Sequence, residues 1–410
     1  MLLVLWYGPE IAVSRWSPIT LAFTHLLTLG VLAMTMIGAL MQILPVVTGV
    51  SVPRAPAVAA IVHALLTSGT VALATGFIFS MPVFFQIAVP LLALAFACLL
   101  GAIGYGLWRA PASSNVTLKA VRLALASLLA AITLGVVLGS SFAWQISLPL
   151  IKLTNLHVLW GLLGWIGLLV IGVAFQVVPM FQVTPVYPHR VTRWLPGSLF
   201  VLLLLWSAIT LVSDQVSNWP TTAIFGLIVA GFVVFSLATL RLLWRKKRQA
   251  KDTTELFWRT SMGSLLLCAG LWGVNAVAPG VVASDTYPLT MGVLFMAGFA
   301  YSAINGMLYK IAPFLTWYHL QITIPAGSVK IPNAKRILPD EATRKQFYAH
   351  LIALALMVAA SLWPMPLVYM AAGAFAVSSC WLWLNLLQTA RLYYRFMRNE
   401  QARHTAANPG

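Results

Sequence analysis

The sequence predicts an all-α polytopic membrane protein in which about 11 transmembrane helices form a single integral membrane domain over residues 1–410. Three observations carry that reading. The first is composition: 60% of residues are hydrophobic, 8% are charged and mean hydropathy is +0.90, outside the usage of a soluble domain. The second is the placing of the basic residues, and the third is a motif that returns every 134 residues. A net charge of +17 would also suit a nucleic-acid binder. Here the basic residues separate apolar runs of spanning length instead of forming a patch on a soluble face, so the expected partner is the lipid bilayer and not nucleic acid.

A helix needs ~20 apolar residues to cross a hydrocarbon layer ~30 Å thick. In chain order the segments that satisfy this are 17–47, 55–80, 83–108, 118–143, 153–181, 193–213, 219–244, 256–280, 286–316, 346–363 and 365–394. The opening MLLVLWYGPE has too short an apolar run, and no basic region before it, to read as a cleaved signal peptide. Charge then tests the count. Arg54 follows the first span, Arg109, Lys119 and Arg122 the third, Arg190 and Arg193 the fifth, and the run RLLWRKKRQAK with Arg259 the seventh. Lys310, Lys330, Lys335, Arg336, Arg344 and Lys345 follow the ninth, and Arg391, Arg395, Arg398 and Arg403 the eleventh. That puts 23 of the 25 Lys and Arg on one side, with only Arg15 and Lys152 on the other. The positive-inside rule then predicts a bacterial-type inner (cytoplasmic) membrane protein with its N-terminus outside and its C-terminus cytoplasmic.

The recurring motif reads Gly38-x-x-x-Gln42-Ile43-x-Pro45, then Gly172-x-x-x-Gln176-Val177-x-Pro179, then Gly306-x-x-x-Lys310-Ile311-x-Pro313. A further glycine, Gly30, Gly164 or Gly298, stands eight residues before each motif glycine. Three copies at one period make the chain a threefold repeat of four-helix units, approximately 17–144, 153–280 and 286–396, the third with three spans. An even number of spans per unit brings the first, fifth and ninth helices in from the same side. The prolines are expected to end these helices near the cytoplasmic face. Small residues let membrane helices approach closely, so packing accounts for the motif without a catalytic role.

The histidines are different. His189, His319 and His404 fall at or beyond helix ends, where an interfacial imidazole needs no special role. His63 and His350 lie one or two turns into the second helices of the first and third units, and are candidate metal ligands. His25 and His157 lie 13 and 15 residues before Gly38 and Gly172, in the outer half of the membrane. An ionisable side chain there is costly and points to function, and neutral imidazole is a common ligand of metals and haem iron. His25 and His157 are therefore the first cofactor-binding candidates, set against the alternative of buried structural histidines. Two residues apart in the repeat frame, they differ by ~200° of helical rotation, which leaves one shared centre and two separate centres both open. Met291 holds the place of His157 in the third unit; methionine can bind Cu(I) or haem iron, although on a membrane helix it more often packs. Cys98, Cys268 and Cys380 lie within apolar runs with no Cys-x-x-Cys pair, so neither a disulfide frame nor a thiolate site is indicated.

THLLTLGVLAMTMIGALMQILPVVTG and NLHVLWGLLGWIGLLVIGVAFQVVPMF resemble the tenth-helix signature of haem-copper oxidase subunit I, above all that of the cbb-type oxidases and nitric oxide reductases. The ninth span is similar to it through Asp285-Thr286-Tyr287 and Gly306-Met307-Leu308-Tyr309. The resemblance implies three four-helix arcs, with the family's first helix lacking here. By helix order it places a low-spin haem ligand at His25 and a copper ligand at His157, so haem b or copper is the implied cofactor and respiratory-complex subunits are the implied partners. The departures are as informative. The ninth span, 286–316, holds no histidine, the sixth lacks the family's paired copper histidines, and no His-x-x-x-Tyr follows His157. The eight acidic residues lie near helix ends or in loops, whereas a proton pump carries ionisable groups within its spans.

Three functions from different classes follow. The first is a non-catalytic or divergent subunit I-like protein that retains haem b or copper near the outer face, in electron transfer, metal handling or respiratory-complex assembly. The second is an active oxidase or nitric oxide reductase-type subunit, for which the ligand set is short. The third is a cofactor-free transporter or scaffold that kept the fold; transporter repeats are often twofold and inverted, whereas this one is threefold and parallel.

Overall fold

The computed structural model describes residues 4, 7–49, 52–109, 115–212, 219–247, 252–279, 286–324 and 331–407. Asp214, Arg248, Lys251, Asp285 and Lys330 fall outside these residues, and so do the side chains of Lys335, Arg403 and His404. Eleven helices among the described residues are long and apolar enough to cross a membrane, and no strand occurs among them. They are α1 (Pro18–Pro45), α2 (Ala55–Phe79), α3 (Pro82–Arg109), α4 (Val116–Trp144), α5 (Leu150–Gln182), α6 (His189–Val212), α7 (Trp219–Trp244), α8 (Thr253–Val277), α9 (Thr286–Thr323), α10 (Asp340–Leu362) and α11 (Pro364–Asn399). The chain is thus an all-α polytopic membrane protein. Each apolar run has its helix, and the differences are at the ends. Helical hydrogen bonding does not stop where hydrocarbon does: α10 begins at Asp340, whose carboxylate and that of Glu341 suit the positive end of a helix.

The prolines do not end their helices. Helix runs on past Pro45 to Thr48, beyond the α1 span, and Pro179 and Pro313 sit inside α5 and α9, which continue to Gln182 and Thr323. A proline removes one N–H from the ladder, but its fixed φ is helical, so the turns after it can resume. His319 consequently lies on α9 and not beyond it, exposed, with its Nδ1 2.9 Å from the Leu315 carbonyl. His189 opens α6.

The repeat has a backbone signature. In α1, α5 and α9 the helix widens to π geometry over Thr28–Ala33, Leu159–Gly167 and Leu294–Tyr301. These segments end at positions 134 residues apart and contain Gly30, Gly164 and Gly298. Such segments insert extra backbone into a helix and are common at functional sites.

A second joint is also built twice. A Cβ at Gly172 of α5 would stand 2.6 Å from the Ala120 Cβ and 3.6 Å from the Thr117 carbonyl on α4. One at Gly306 of α9 would stand 2.8 Å from the Phe257 Cβ and 3.4 Å from the Thr254 carbonyl on α8. Ala120 and Phe257, and Thr117 and Thr254, are each 137 residues apart. So are the capping residues Asn115 and Asp252, whose side chains accept the backbone N–H of Thr117 and Thr254 at 2.9 Å. Gly38 of α1 is exposed and has open space at the same position.

By their contacts the residues divide into two compact units. One joins Val13–Arg248 to Met262–Met291; within it consecutive helices from α1 to α7 pack on one another and α4 touches α1, α3, α5 and α6. The other joins Met1–Ala12, Gln249–Ser261 and Gly292–Gly410; within it α10 and α11 pair, α11 packs on α9, and a 3-10 turn at Gly8–Ala12 lies against α11.

Candidate functional site

His25 and His157 meet. Their ring centroids are 6.2 Å apart and the ring planes 20° from parallel. Each ring stands just before the π segment of its helix, α1 or α5, and each is anchored through Nδ1. His25 Nδ1 is 2.8 Å from the Leu21 carbonyl, one turn back on its own helix. His157 Nδ1 is 2.9 Å from the Ala131 carbonyl on α4. A carbonyl only accepts, so both Nδ1 atoms carry a proton, and in the neutral imidazoles the lone pair is left on Nε2. Histidines that bind metals are oriented in this way, the anchored N–H fixing the tautomer and the other nitrogen serving as donor.

The surroundings hold the rings in place. Gly135, one turn after Ala131 on α4, faces His157, where a Cβ would come 3.0 Å from Cε1; a larger residue would push the imidazole off its carbonyl. On the other side Phe77 of α2 lies 5.5 Å from His25 with its plane 25° away, and Phe85 and Phe142 pack edge-on against Phe77. Below them Leu73, Phe85, Ala88 and Ala143 form a buried apolar cluster. Two residues before His157, the Asn155 Oδ1 accepts from Arg15 at 3.0 Å, and Arg15 also lies 4.3 Å over the Trp16 ring. Burial lowers the pKa of this guanidinium from its ordinary value.

The other candidates lie elsewhere. Met291, on α9 in the same unit as the histidine pair, is half-buried. His63 is exposed on α2, its carbonyl taken by the Thr67 hydroxyl. His350 is fully buried in the other unit, with its Nε2 on Ser302. Among the described residues no group of three or more His, Cys, Asp or Glu could hold a metal. Sequence reasoning missed the helix that positions His157. Gly135 and Ala131 carry no chemical signal, and only packing of α4 on α5 brings them to the ring. It also missed the polar cluster around His350, whose members are spread over α9, α10 and α11.

No protein-family model matches the chain, and no curated protein matches it. The resemblance to haem-copper oxidase subunit I rests on the sequence motifs alone.

Proposed function

We propose that the protein is a divergent, non-catalytic relative of haem-copper oxidase subunit I that holds haem b or copper at His25 and His157. Its role is electron transfer, metal handling or assembly of a respiratory complex, with partner subunits in the same membrane. The observation that supports this best is the pair itself: two neutral imidazoles on different helices, each anchored at Nδ1, 6.2 Å apart. Bound there, iron or copper would supply one-electron chemistry. The protein's part is to fix the tautomers through Leu21 and Ala131, to orient the rings with Gly135 and Phe77, and to surround them with apolar side chains. The basic residues favour a bacterial-type inner membrane with the N-terminus outside, which sets the pair in the outer half.

The apolar packing around the pair favours one competing reading, a cofactor-free scaffold in which the imidazoles are structural. Purified protein separates the two. Under the cofactor reading, metal analysis finds iron or copper, and a reduced-minus-oxidised haem band marks haem b. His25→Ala and His157→Ala then lose the bound group while inserting normally, and His63→Ala keeps it. Protein that carries no metal, or variants whose metal content and spectrum match the parent, would overturn the reading.

A further inference from the structure

A second site lies in the unit that contains most of α9 with α10 and α11. His350 of α10 is 0% exposed, and its Nε2 is 2.7 Å from Ser302 Oγ. The Ser302 hydroxyl is itself directed to the Ala297 carbonyl, five residues back in the π segment, at 3.3 Å. Whichever of Ser302 and His350 donates in the 2.7 Å contact, the second ring nitrogen, Nδ1, is the one left over. That Nδ1 is buried and meets no hydrogen-bond partner among the described residues. Asn305, one turn after Ser302 and also 0% exposed, has neither amide atom in full hydrogen-bond geometry with a described residue, and interacts through its side chain only with Tyr301, one turn back. A buried polar atom left unpaired costs ~1–3 kcal/mol, and lipid offers no substitute.

The polar groups on either side of this gap are paired. Tyr301 OH and Ser379 Oγ are 3.0 Å apart. Tyr309 OH donates to Gln346 Oε1 and accepts from Asn385 Nδ2, each at 3.0 Å, and Gln346 Nε2 donates to Ser378. Tyr301, Asn305 and Tyr309 are four residues apart on α9, a stripe ~12 Å long. Asn305 stands between its two ends, and His350 lies beside Tyr301 and Ser302 at the first of them.

We propose that His350 Nδ1 and the Asn305 amide bind internal water, which joins the Tyr301–Ser379 pair to the Tyr309–Gln346–Asn385 cluster in one line of exchangeable protons. The ligand must pair with Nδ1 in either tautomer and both donate to and accept from an amide, which water does. It must be small, because both side chains are fully buried and the rings of Phe257 and Tyr301 lie 5.5 and 5.6 Å from the His350 ring. One imidazole nitrogen and one amide oxygen are too few donors for a structural metal ion. The nearby charged groups are already matched, Lys310 with Asp252 and Arg259 with Glu255.

Solid-state NMR of the full chain in lipid bilayers tests this through magnetisation transfer from water. We expect transfer to the His350 ring nitrogens and the Asn305 side-chain amide; its absence at both overturns the proposal. Asn305→Leu removes the amide and keeps the branching and number of side-chain heavy atoms, in a larger side chain. If water bridges the two residues, this variant loses the transfer at His350 and unfolds at a lower temperature. An unchanged or higher unfolding temperature would mean that the amide was unpaired, and persistent transfer at His350 that the water is not shared; either result overturns the bridge. The measurement on the parent protein decides the matter if the variant does not accumulate.

Discussion

At the scale of single residues, the repeat motif changes charge once. Gln42 and Gln176 give way to Lys310, and the cap Asn115 gives way to Asp252 at the matching place on α8. The two new residues form an ion pair, with side chains 19% and 15% exposed. One change without the other would leave a poorly solvated charge, which is costlier than losing the pair as a whole. Asp252→Asn keeps the helix cap, since Asn and Asp cap equally well, so it isolates the charge. We expect Asp252→Asn and Lys310→Gln each to destabilise by about 1–3 kcal/mol. The double variant, which restores the neutral residues of the earlier unit, should recover most of that loss, measured as coupling in thermal unfolding. Additive losses would show that the pair is solvated and idle. His25 and His157 were legible as candidates because an imidazole in an apolar run is conspicuous. That they share one place was not, because rotation along a single helix says nothing about which faces two helices turn to each other.

At the scale of elements, the 134-residue period was readable from Gly and Pro, and the π segments carry it into the backbone. The α4–α5 and α8–α9 joints were not readable, because their second partners differ: Ala120 in one place is Phe257 in the other, at a period of 137. Equivalent backbone contacts made by unlike side chains leave no trace in a residue-by-residue alignment. The proline positions misled for a related reason, since an X–Pro step breaks one hydrogen bond but not a helix held by its neighbours. The joints give a graded test. Gly172→Ala and Gly306→Ala should each cost about 1–3 kcal/mol, because the new methyl falls within 3 Å of a Cβ on the facing helix. Gly38→Ala meets open space, so it should be neutral or stabilise α1 by up to ~1 kcal/mol through helix propensity. Unfolding temperatures of the three variants in one detergent would check the order, and equal losses at all three would remove the packing account of the motif.

At the scale of the whole molecule, the distribution of charge and the number of spans constrain each other. With eleven helices, 23 of 25 basic residues fall on one side; adding or removing one helix in the middle would scatter the later residues between both sides. The count is therefore supported by two independent quantities, the length of apolar helix and the alternation of Lys and Arg. The same alternation predicts where each loop lies. Only α7, Trp219–Trp244, separates the loop containing Asp214 from the RLLWRKKRQAK run, so the two must lie on opposite sides of the bilayer. A reporter fused after Arg248 should be active as a cytoplasmic marker, and one fused after Asp214 as an external marker. Exchanged activities would keep the eleven helices and invert the protein, moving His25 and His157 to the cytoplasmic half. Cytoplasmic activity at both sites would mean that α7 does not span, and the match between repeat and topology would fall with it.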